Sequence, residues 1–278
     1  MAGKASKKFD LGELTRALAG DVPDPGTEGR DQIEYIDIGL IDSDPGNFYE
    51  LRGIPDLAGD IEIMDCSGKV AIPGFVNMHT HSPMSLMRGI GEDMLFPEWL
   101  DTIWKAEENL DAEYIYWATK VSCIEMIRTG TTTFNDQYWF FDSSVRAATD
   151  MGLRIATGYD IMDKGDPEES ERQKAHCEAK SAPFLSGDTP GLIYEIAFHA
   201  IYSVREEMML WASDYAEKHG LNLHIHLSET RKEVEDCKAA HGGLTPVEYL
   251  DRLGILSPRV IAAHTLWVTP HDIERLLE

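Results

Sequence analysis

Short apolar runs alternate with amphipathic stretches from about residue 70 to the end of the chain. A bounded run of about four to eight apolar or β-branched residues is typical of a buried strand, whereas apolar residues three and four apart are typical of a helix. Repeated strand and helix units predict an α/β fold with βαβ connections and a parallel sheet. The predicted strands are Phe75–Thr80, Thr131–Asn135, Arg154–Tyr159, Leu192–His199, Asn222–Leu227 and Val260–His264.

Helices are predicted between these strands. The longest, Asp111–Thr129, begins with a residue that can cap a helix N-terminus and is followed by Gly130, which favours a helix end. The chain contains neither a glycine-rich dinucleotide fingerprint nor a phosphate-binding P-loop, so the pattern favours a (β/α) barrel over a nucleotide-binding open sheet. The other predicted helices are Asp142–Met151, Arg205–His219, Pro246–Leu253 and Pro270–Leu277.

The first 69 residues have a different character and are predicted to form a separate, acidic and loop-rich segment. Residues 21–60 contain eleven acidic and two basic side chains, together with four prolines and six glycines. Such a stretch buries little apolar surface, so we expect only a short helix at Leu11–Leu18 and short strands near 33–40 and 61–65. The predicted division is therefore 1–69 for remnants of a small β domain and 70–278 for the barrel.

The composition disfavours some classes of partner and indicates the cellular compartment. The 49 acidic and 25 basic residues give a net charge of −24, which disfavours nucleic acid and anionic membrane surfaces as partners. The four cysteines lie far apart in the sequence, which argues against a disulfide framework and against a thiolate zinc site. No apolar run reaches the roughly 18 residues of a membrane span, and the N-terminus lacks the apolar core of a secretory signal. We therefore expect a cytoplasmic protein.

Histidines occur at the C-terminal ends of the predicted strands, which is where barrel enzymes place their chemistry. His79 and His81 end the first strand and, with a period of two, share one face, so together they form half of a metal site. Each histidine alone is more often a core residue. Glu229, just past the fifth strand, is placed either to move protons or simply to cap the next helix. The other strand-end histidines are His199, His226 and His264.

Several motifs resemble the amidohydrolase superfamily when they are taken together. Pro73–His81 is similar to the opening metal motif of that superfamily, and His226–Thr230 and Ala262–His264 are similar to its fifth-strand and sixth-strand motifs. Further motifs resemble the branch of methylthioadenosine/S-adenosylhomocysteine deaminases, which is related to guanine deaminases and triazine chlorohydrolases. These further motifs are Met87–Gly89, Glu98–Leu100, Ile103–Glu107 and Arg128–Thr132.

The resemblance implies a distorted (β/α)8 barrel with a small β-sandwich built from both chain ends. It also implies one divalent metal ion, zinc with iron as the alternative, held by His79, His81, His226 and an aspartate at the end of strand eight. Binuclear relatives carry a bridging lysine on strand four, and Leu192–His199 contains no lysine. A mononuclear site is therefore expected. Strands seven and eight, with the aspartate, are expected after residue 278, so the chain resembles a C-terminally incomplete member.

The implied reaction is hydrolytic deamination of an adenosine-type substrate with release of ammonia. The resemblance makes Glu229 the group that protonates the ring nitrogen and His264 the group that orients the attacking water. It assigns substrate contacts to Glu98, Trp99 and His199. The expected partner is a small nucleoside or heterocycle; a homo-oligomer is one option for the assembly, and the sequence does not determine the oligomeric state. The alternatives are a guanine deaminase, a triazine hydrolase of the same superfamily, or an inactive truncated homologue.

Overall fold

Six parallel strands form one sheet, and their spatial order is the order in which they occur along the chain. The structure is a computed structural model, which describes residue 70 and residues 72–277. All six predicted strands are confirmed, with end points that move by one or two residues. The strands are β1 (Phe75–Thr80), β2 (Thr131–Asp136), β3 (Arg154–Ile161), β4 (Leu192–Ala200), β5 (Leu223–Leu227) and β6 (Val260–His264).

Helices connect each strand to the next. The five helices predicted between residues 111 and 277 are confirmed, and three further helices were not assigned bounds from the sequence. The eight α-helices of the described residues are α1 (Phe96–Glu107), α2 (Ala112–Arg128), α3 (Phe141–Met151), α4 (Pro167–Ser181), α5 (Glu206–His219), α6 (Arg231–Ala240), α7 (Pro246–Arg252) and α8 (Pro270–Leu277). Among the described residues, no helix combines the length and the apolar character needed to cross a membrane.

The ends of α2 illustrate why the sequence forms these helices where it does. The side chain of Asp111 accepts a hydrogen bond from the backbone N–H of Tyr114, as predicted for an N-cap. Gly130 follows the helix with a φ of 82°, a left-handed conformation that glycine adopts without the steric cost of a Cβ atom. The chain can therefore reverse directly into β2.

The core lies where the inner strands pack against the helices on the outside of the sheet. Its fully buried side chains include Ile155 on β3, Ile196 and Phe198 on β4, and Leu223 and Ile225 on β5. The runs on these strands are nearly continuous in apolar character, as expected for parallel strands that are covered on both faces.

Two irregularities in strand pairing lie at the same end of the sheet. The register between β1 and β2 shifts between Asn77 and Thr80, and the register between β4 and β5 shifts between Phe198 and Ala200. Bulges of this kind redirect side chains and free backbone groups from the ladder, and they are common beside functional sites. Here they occur next to His79 and at His199.

The helix at Leu11–Leu18 and the strands near 33–40 and 61–65 lie outside the described residues. The residues from Phe75 onward form one compact unit, which contains all the elements above. The boundary between residues 69 and 70 stays a prediction.

Candidate metal centre

Three imidazoles from two strands meet at the C-terminal end of the sheet. His79 and His81 lie on β1 and directly after it, and His226 lies on β5. Each of them offers a ring nitrogen, and these nitrogens all lie within 4.8 Å of one another. Within residues 72–277, this is the group of histidine, cysteine and carboxylate side chains whose geometry could hold a metal ion. The structure thus brings together the three histidines singled out as ligands.

Backbone carbonyls fix the tautomers of two of these rings. The Nδ1 atom of His81 donates to the carbonyl oxygen of Gln137 at 2.6 Å, and the Nδ1 atom of His226 donates to that of His199 at 2.8 Å. Because a carbonyl oxygen only accepts, each Nδ1 carries the proton and each Nε2 keeps a free lone pair. The register shift at His199 presents the carbonyl that His226 uses.

The free nitrogens have the spacing that a tetrahedral metal ion requires. The Nε2 atoms of His81 and His226 are 3.2 Å apart. Two nitrogens bound tetrahedrally at about 2.0–2.1 Å from zinc lie about 3.3–3.4 Å from each other. The Nε2 atom of His79 is buried and has no hydrogen-bond partner, which is costly unless a ligand satisfies it. The residues present therefore fit a metal ion.

Burial keeps this cluster neutral. Desolvation, followed by repulsion from neighbouring imidazoles, lowers the pKa of His79 to about 2. Desolvation also lowers the pKa of His81 to about 4 and that of His226 well below its ordinary value. Neutral imidazole is the form that binds metal ions. The rings are thus held in the ligating state at every pH near neutrality.

Glu229 lies beside the cluster and does not cap the following helix. Thr230 is the N-cap of α6 and accepts from the backbone N–H of Glu233, whose own carboxylate accepts from the N–H groups of Ser228 and Glu229. The helix terminus is therefore satisfied without the Glu229 side chain. The capping alternative is excluded, and the Glu229 carboxyl is left for the cavity.

Glu229 and His264 face each other across the loops that follow β5 and β6. Their closest side-chain atoms, Glu229 Oε1 and His264 Nε2, are 3.6 Å apart. Desolvation, with a smaller contribution from the Glu233 charge, raises the pKa of Glu229 to about 7. Ser228 and His264 have φ values of 51° and 71°, so both loops leave their strands through strained, left-handed residues. The backbone strain thus lies at His264 itself and at Ser228, the residue before Glu229.

A cavity of about 240 Å³ opens at this end of the sheet. It is lined by His81, His226, Glu229 and His264, and by aromatic side chains from α1 and from the loops after β2 and β4. Aromatic walls with a few convergent polar groups are typical of small-molecule sites. The aromatic lining consists of Phe96, Trp99, Trp104, Tyr138, Trp139 and Tyr202.

The three residues predicted to contact substrate have different positions. Trp99 and His199 line the cavity, and the His199 ring lies 4.9 Å from the His226 ring. Glu98 is exposed in the first turn of α1 and is not part of the cavity lining. Its contact with substrate stays a prediction.

Sequence reasoning missed several polar groups of the cavity. Glu107 accepts a hydrogen bond from the Tyr138 hydroxyl, and burial raises the pKa of that carboxyl. Asp160 accepts from the Gln137 side chain at 3.2 Å, and burial raises its pKa to about 7. The Gln137 Oε1 atom is buried without a partner. Glu107 ends the Ile103–Glu107 motif, but no sequence spacing connects it with Gln137 and Asp160, because the three residues come from α1, the loop after β2 and β3.

Comparison with known proteins identifies the family of this chain. The sequence profile of the Amidohydrolase family matches residues 70–278. A 5'-deoxyadenosine deaminase of Methanoregula boonei is 42% identical over 207 residues, which are 74% of this chain and 47% of that protein. A 5-methylthioadenosine/S-adenosylhomocysteine deaminase of Thermococcus sibiricus is 39% identical over 216 residues, which are 77% of this chain and 50% of that protein. The chain therefore spans about half the length of the curated relatives it matches.

Among solved structures, an adenosine deaminase from Xanthomonas campestris with bound zinc is similar to 73% of this chain and 46% of its own. The TM-score is 0.65 and the sequence identity is 31%. The predicted fold is thereby confirmed, since the six strand and helix units are units of an amidohydrolase (β/α)8 barrel. From the match over residues 70–278 and the shared barrel, it follows that this chain belongs to the amidohydrolase family.

Proposed function

We propose that the protein is a metal-dependent hydrolase that deaminates an adenosine-type nucleoside and releases ammonia. The observation that carries the proposal is the convergence of one ring nitrogen each from His79, His81 and His226 near a partly buried carboxyl, Glu229, at the C-terminal end of the sheet. The substrate class is supported by relatives named 5'-deoxyadenosine deaminase and 5-methylthioadenosine/S-adenosylhomocysteine deaminase.

The proposed cofactor is one divalent ion, zinc, held by His79, His81 and His226. Zinc is also present in the adenosine deaminase structure that this chain resembles. Zinc held by these three residues would lower the pKa of water from 15.7 to about 7 and would so supply a nucleophile at neutral pH. The resemblance places a fourth ligand, an aspartate, on strand eight, and completion of the site by that residue is part of the proposal.

Glu229 is proposed as the general acid and base. A pKa of about 7 means that its carboxyl holds a proton for part of the time at neutral pH and can give that proton to a ring nitrogen of the purine. Protonation of the ring nitrogen makes the carbon that bears the amino group more electrophilic and so favours attack by water. His264, whose Nε2 atom lies 3.6 Å from Glu229, is proposed to orient the attacking water by a hydrogen bond.

The cavity is proposed to hold the nucleoside. Trp99 and Trp104 supply apolar walls for the purine, and His199 lies on the same side as the metal ligands. Glu98 is proposed to accept hydrogen bonds from ribose hydroxyls; it is exposed at the start of α1, next to the cavity-lining Trp99.

Ammonia release from a small panel tests the proposal. The protein is loaded with zinc and assayed with 5'-deoxyadenosine, methylthioadenosine, S-adenosylhomocysteine and guanine. We expect turnover of at least one adenosine derivative with a higher kcat/KM than for guanine, and we expect Glu229→Gln to lower that turnover by about 10²-fold or more while it keeps its zinc. Preference for guanine would move the protein to the guanine deaminases, and failure to bind zinc at all would overturn the metal site.

A further inference from the structure

A buried glutamate on β4 is connected to the His79 ring through a second histidine. The Glu195 Oε1 atom lies 3.1 Å from Nδ1 of His224, and Nε2 of His224 lies 3.0 Å from Nδ1 of His79. Glu195 is 1% exposed and His224 is 0% exposed. Neither residue lines the cavity, so neither can touch a substrate.

The direction of these hydrogen bonds follows from the acceptor at one end. A carboxylate oxygen only accepts, so His224 donates from Nδ1. In the neutral His224 ring the Nε2 atom is then the acceptor, and the bond is donated by Nδ1 of His79. That leaves the His79 Nε2 atom, which is buried without a partner, as a lone pair. The same tautomer is set at His81 and His226, but there by backbone carbonyls.

The surroundings of Glu195 keep it in place. The side-chain amide of Asn135 donates to the other carboxylate oxygen, Oε2, at 3.4 Å. On the adjacent strand β3 the paired residue is Gly158, where an added Cβ atom would lie 1.5 Å from the Glu195 backbone oxygen. Only glycine permits this approach of β3 to β4. A charged residue buried so completely requires such partners.

We propose that Glu195 is a positioning residue for the metal centre, acting through His224 to hold His79 as the tautomer whose Nε2 atom can bind a metal ion. This inference rests on the proposed metal site. It adds to that site a relay on β4 and β5, because among the described residues Nδ1 of His79 bonds to a side chain, whereas Nδ1 of His81 and of His226 bonds to a backbone carbonyl. Partners of this sort, outside the ligand set, change metal affinity by about 10–100-fold when they are removed.

Zinc affinity, measured by competition with a chelator, tests the relay in the full chain. We expect Glu195→Leu to weaken zinc binding about 10–100-fold. Glu195→Gln is expected to restore most of the affinity, since its amide oxygen can still accept from His224 and the Asn135 amide can rotate to offer its unpartnered Oδ1 atom. The matched control is Tyr194→Phe, which removes a buried hydrogen bond to Ser181 from the adjacent position of the same strand. It should leave zinc affinity unchanged.

A second measurement uses the unchanged chain, so it does not depend on whether a variant folds. Nitrogen-15 NMR of the histidine-labelled, metal-free chain reports which ring nitrogen carries the proton. We expect Nδ1 protonation at both His224 and His79, and protonation of His79 at Nε2 would overturn the relay. Equal zinc affinity of Glu195→Leu and the unchanged chain would also overturn it.

The variant His226→Asn separates the two proposals. If the unchanged chain binds zinc and His226→Asn does not, the metal site is present, and the Glu195 variants judge the relay alone. If zinc binding is absent, or is unaffected by His226→Asn, the proposed metal site fails, while the NMR result still decides the His79 tautomer.

Discussion

Strand β5 carries histidines at two alternate positions, and β1 carries His79 with His81 directly after it, but the two strands lie in opposite surroundings. All five residues of β5 are buried, and the strand is paired on both sides with β4 and β6. On β1, Phe75, Val76 and Met78 are each more than half exposed, and among the described residues the strand pairs only with β2. The proposed metal centre joins this exposed edge to the buried middle of the sheet.

The difference shows how an edge strand can hold precise side chains. The β5 ligand His226 is fixed by a carbonyl of the neighbouring strand, whereas His79 on β1 is fixed by a side chain that reaches from β5. Order at the edge is thus provided by polar contacts across the sheet rather than by burial of the strand. Substitutions in the two strands are therefore expected to change the free energy of unfolding by different amounts.

The largest expected effect is on the free energy of unfolding. Ile225→Ala on β5 removes a fully buried side chain and should destabilise the chain by about 2–5 kcal/mol, as large-to-small changes in cores do. Met78→Ala on β1 removes a side chain that is 57% exposed and should cost less than about 1 kcal/mol. Urea unfolding of both variants measures the contrast. Equal losses would show that β1 is covered in solution.

The carboxyls that follow the two strands are expected to affect different kinetic constants. Glu229→Gln, after β5, should lower kcat by about 10²-fold or more while zinc content stays near normal, since glutamine cannot carry a proton at neutral pH. Glu98→Gln, in the helix after β1, should raise KM with little change in kcat, because its proposed role is to bind ribose hydroxyls. Steady-state kinetics with methylthioadenosine separate the two. An unchanged kcat for Glu229→Gln would remove it from the reaction.

Most strands and helices of the fold could be predicted from the sequence, because buried parallel strands and amphipathic helices each have a characteristic local pattern of apolar residues. Six strands were predicted within one or two residues, and the Asp111 cap and the Gly130 stop were both found. The helix Pro167–Ser181 was not assigned bounds, since it is polar on nearly every face and gives no apolar period. A solvated helix of this kind is defined by its context more than by its sequence.

The ligand histidines were predictable and their partners were not. The spacing of His79 and His81 places both on one face, which follows from strand geometry alone. Glu195 and His224 are 29 residues apart, and their contact depends on the register between β4 and β5. The same holds for Gln137 and Asp160. Long-range polar pairs leave no period in the sequence, so only the fold reveals them.

A pH dependence of about 1–3 kcal/mol is expected from Glu229 in the metal-free chain. Its folded pKa of about 7 is raised above the ordinary value near 4.5 by burial. Below the unfolded pKa both states hold the proton; between about pH 4.5 and 7 only the folded state holds it, so stability falls as the pH rises. Glu229→Gln should therefore gain stability relative to the unchanged chain between pH 5 and pH 8, measured by urea unfolding. No relative gain would show that the folded carboxyl is already ionised at pH 5.

The smallest effect is expected from an ion pair on the exposed side of the molecule. Arg88 donates two hydrogen bonds of 2.6 Å to Glu125, but these side chains are 65% and 46% exposed. Water and the entropy of two long side chains limit such pairs to about 0.2–1 kcal/mol, and salt screens them further. A double-mutant cycle of Arg88→Gln and Glu125→Gln should give a coupling energy in that range that disappears in about 0.5 M salt, with zinc affinity unchanged.

The buried pair of Glu195 and His224 should behave in the opposite way, since salt does not reach it and its loss changes metal binding. A coupling energy above about 2 kcal/mol at Arg88, insensitive to salt, would mean that this side is shielded in solution and that the contrast between edge and interior is weaker than the structure indicates.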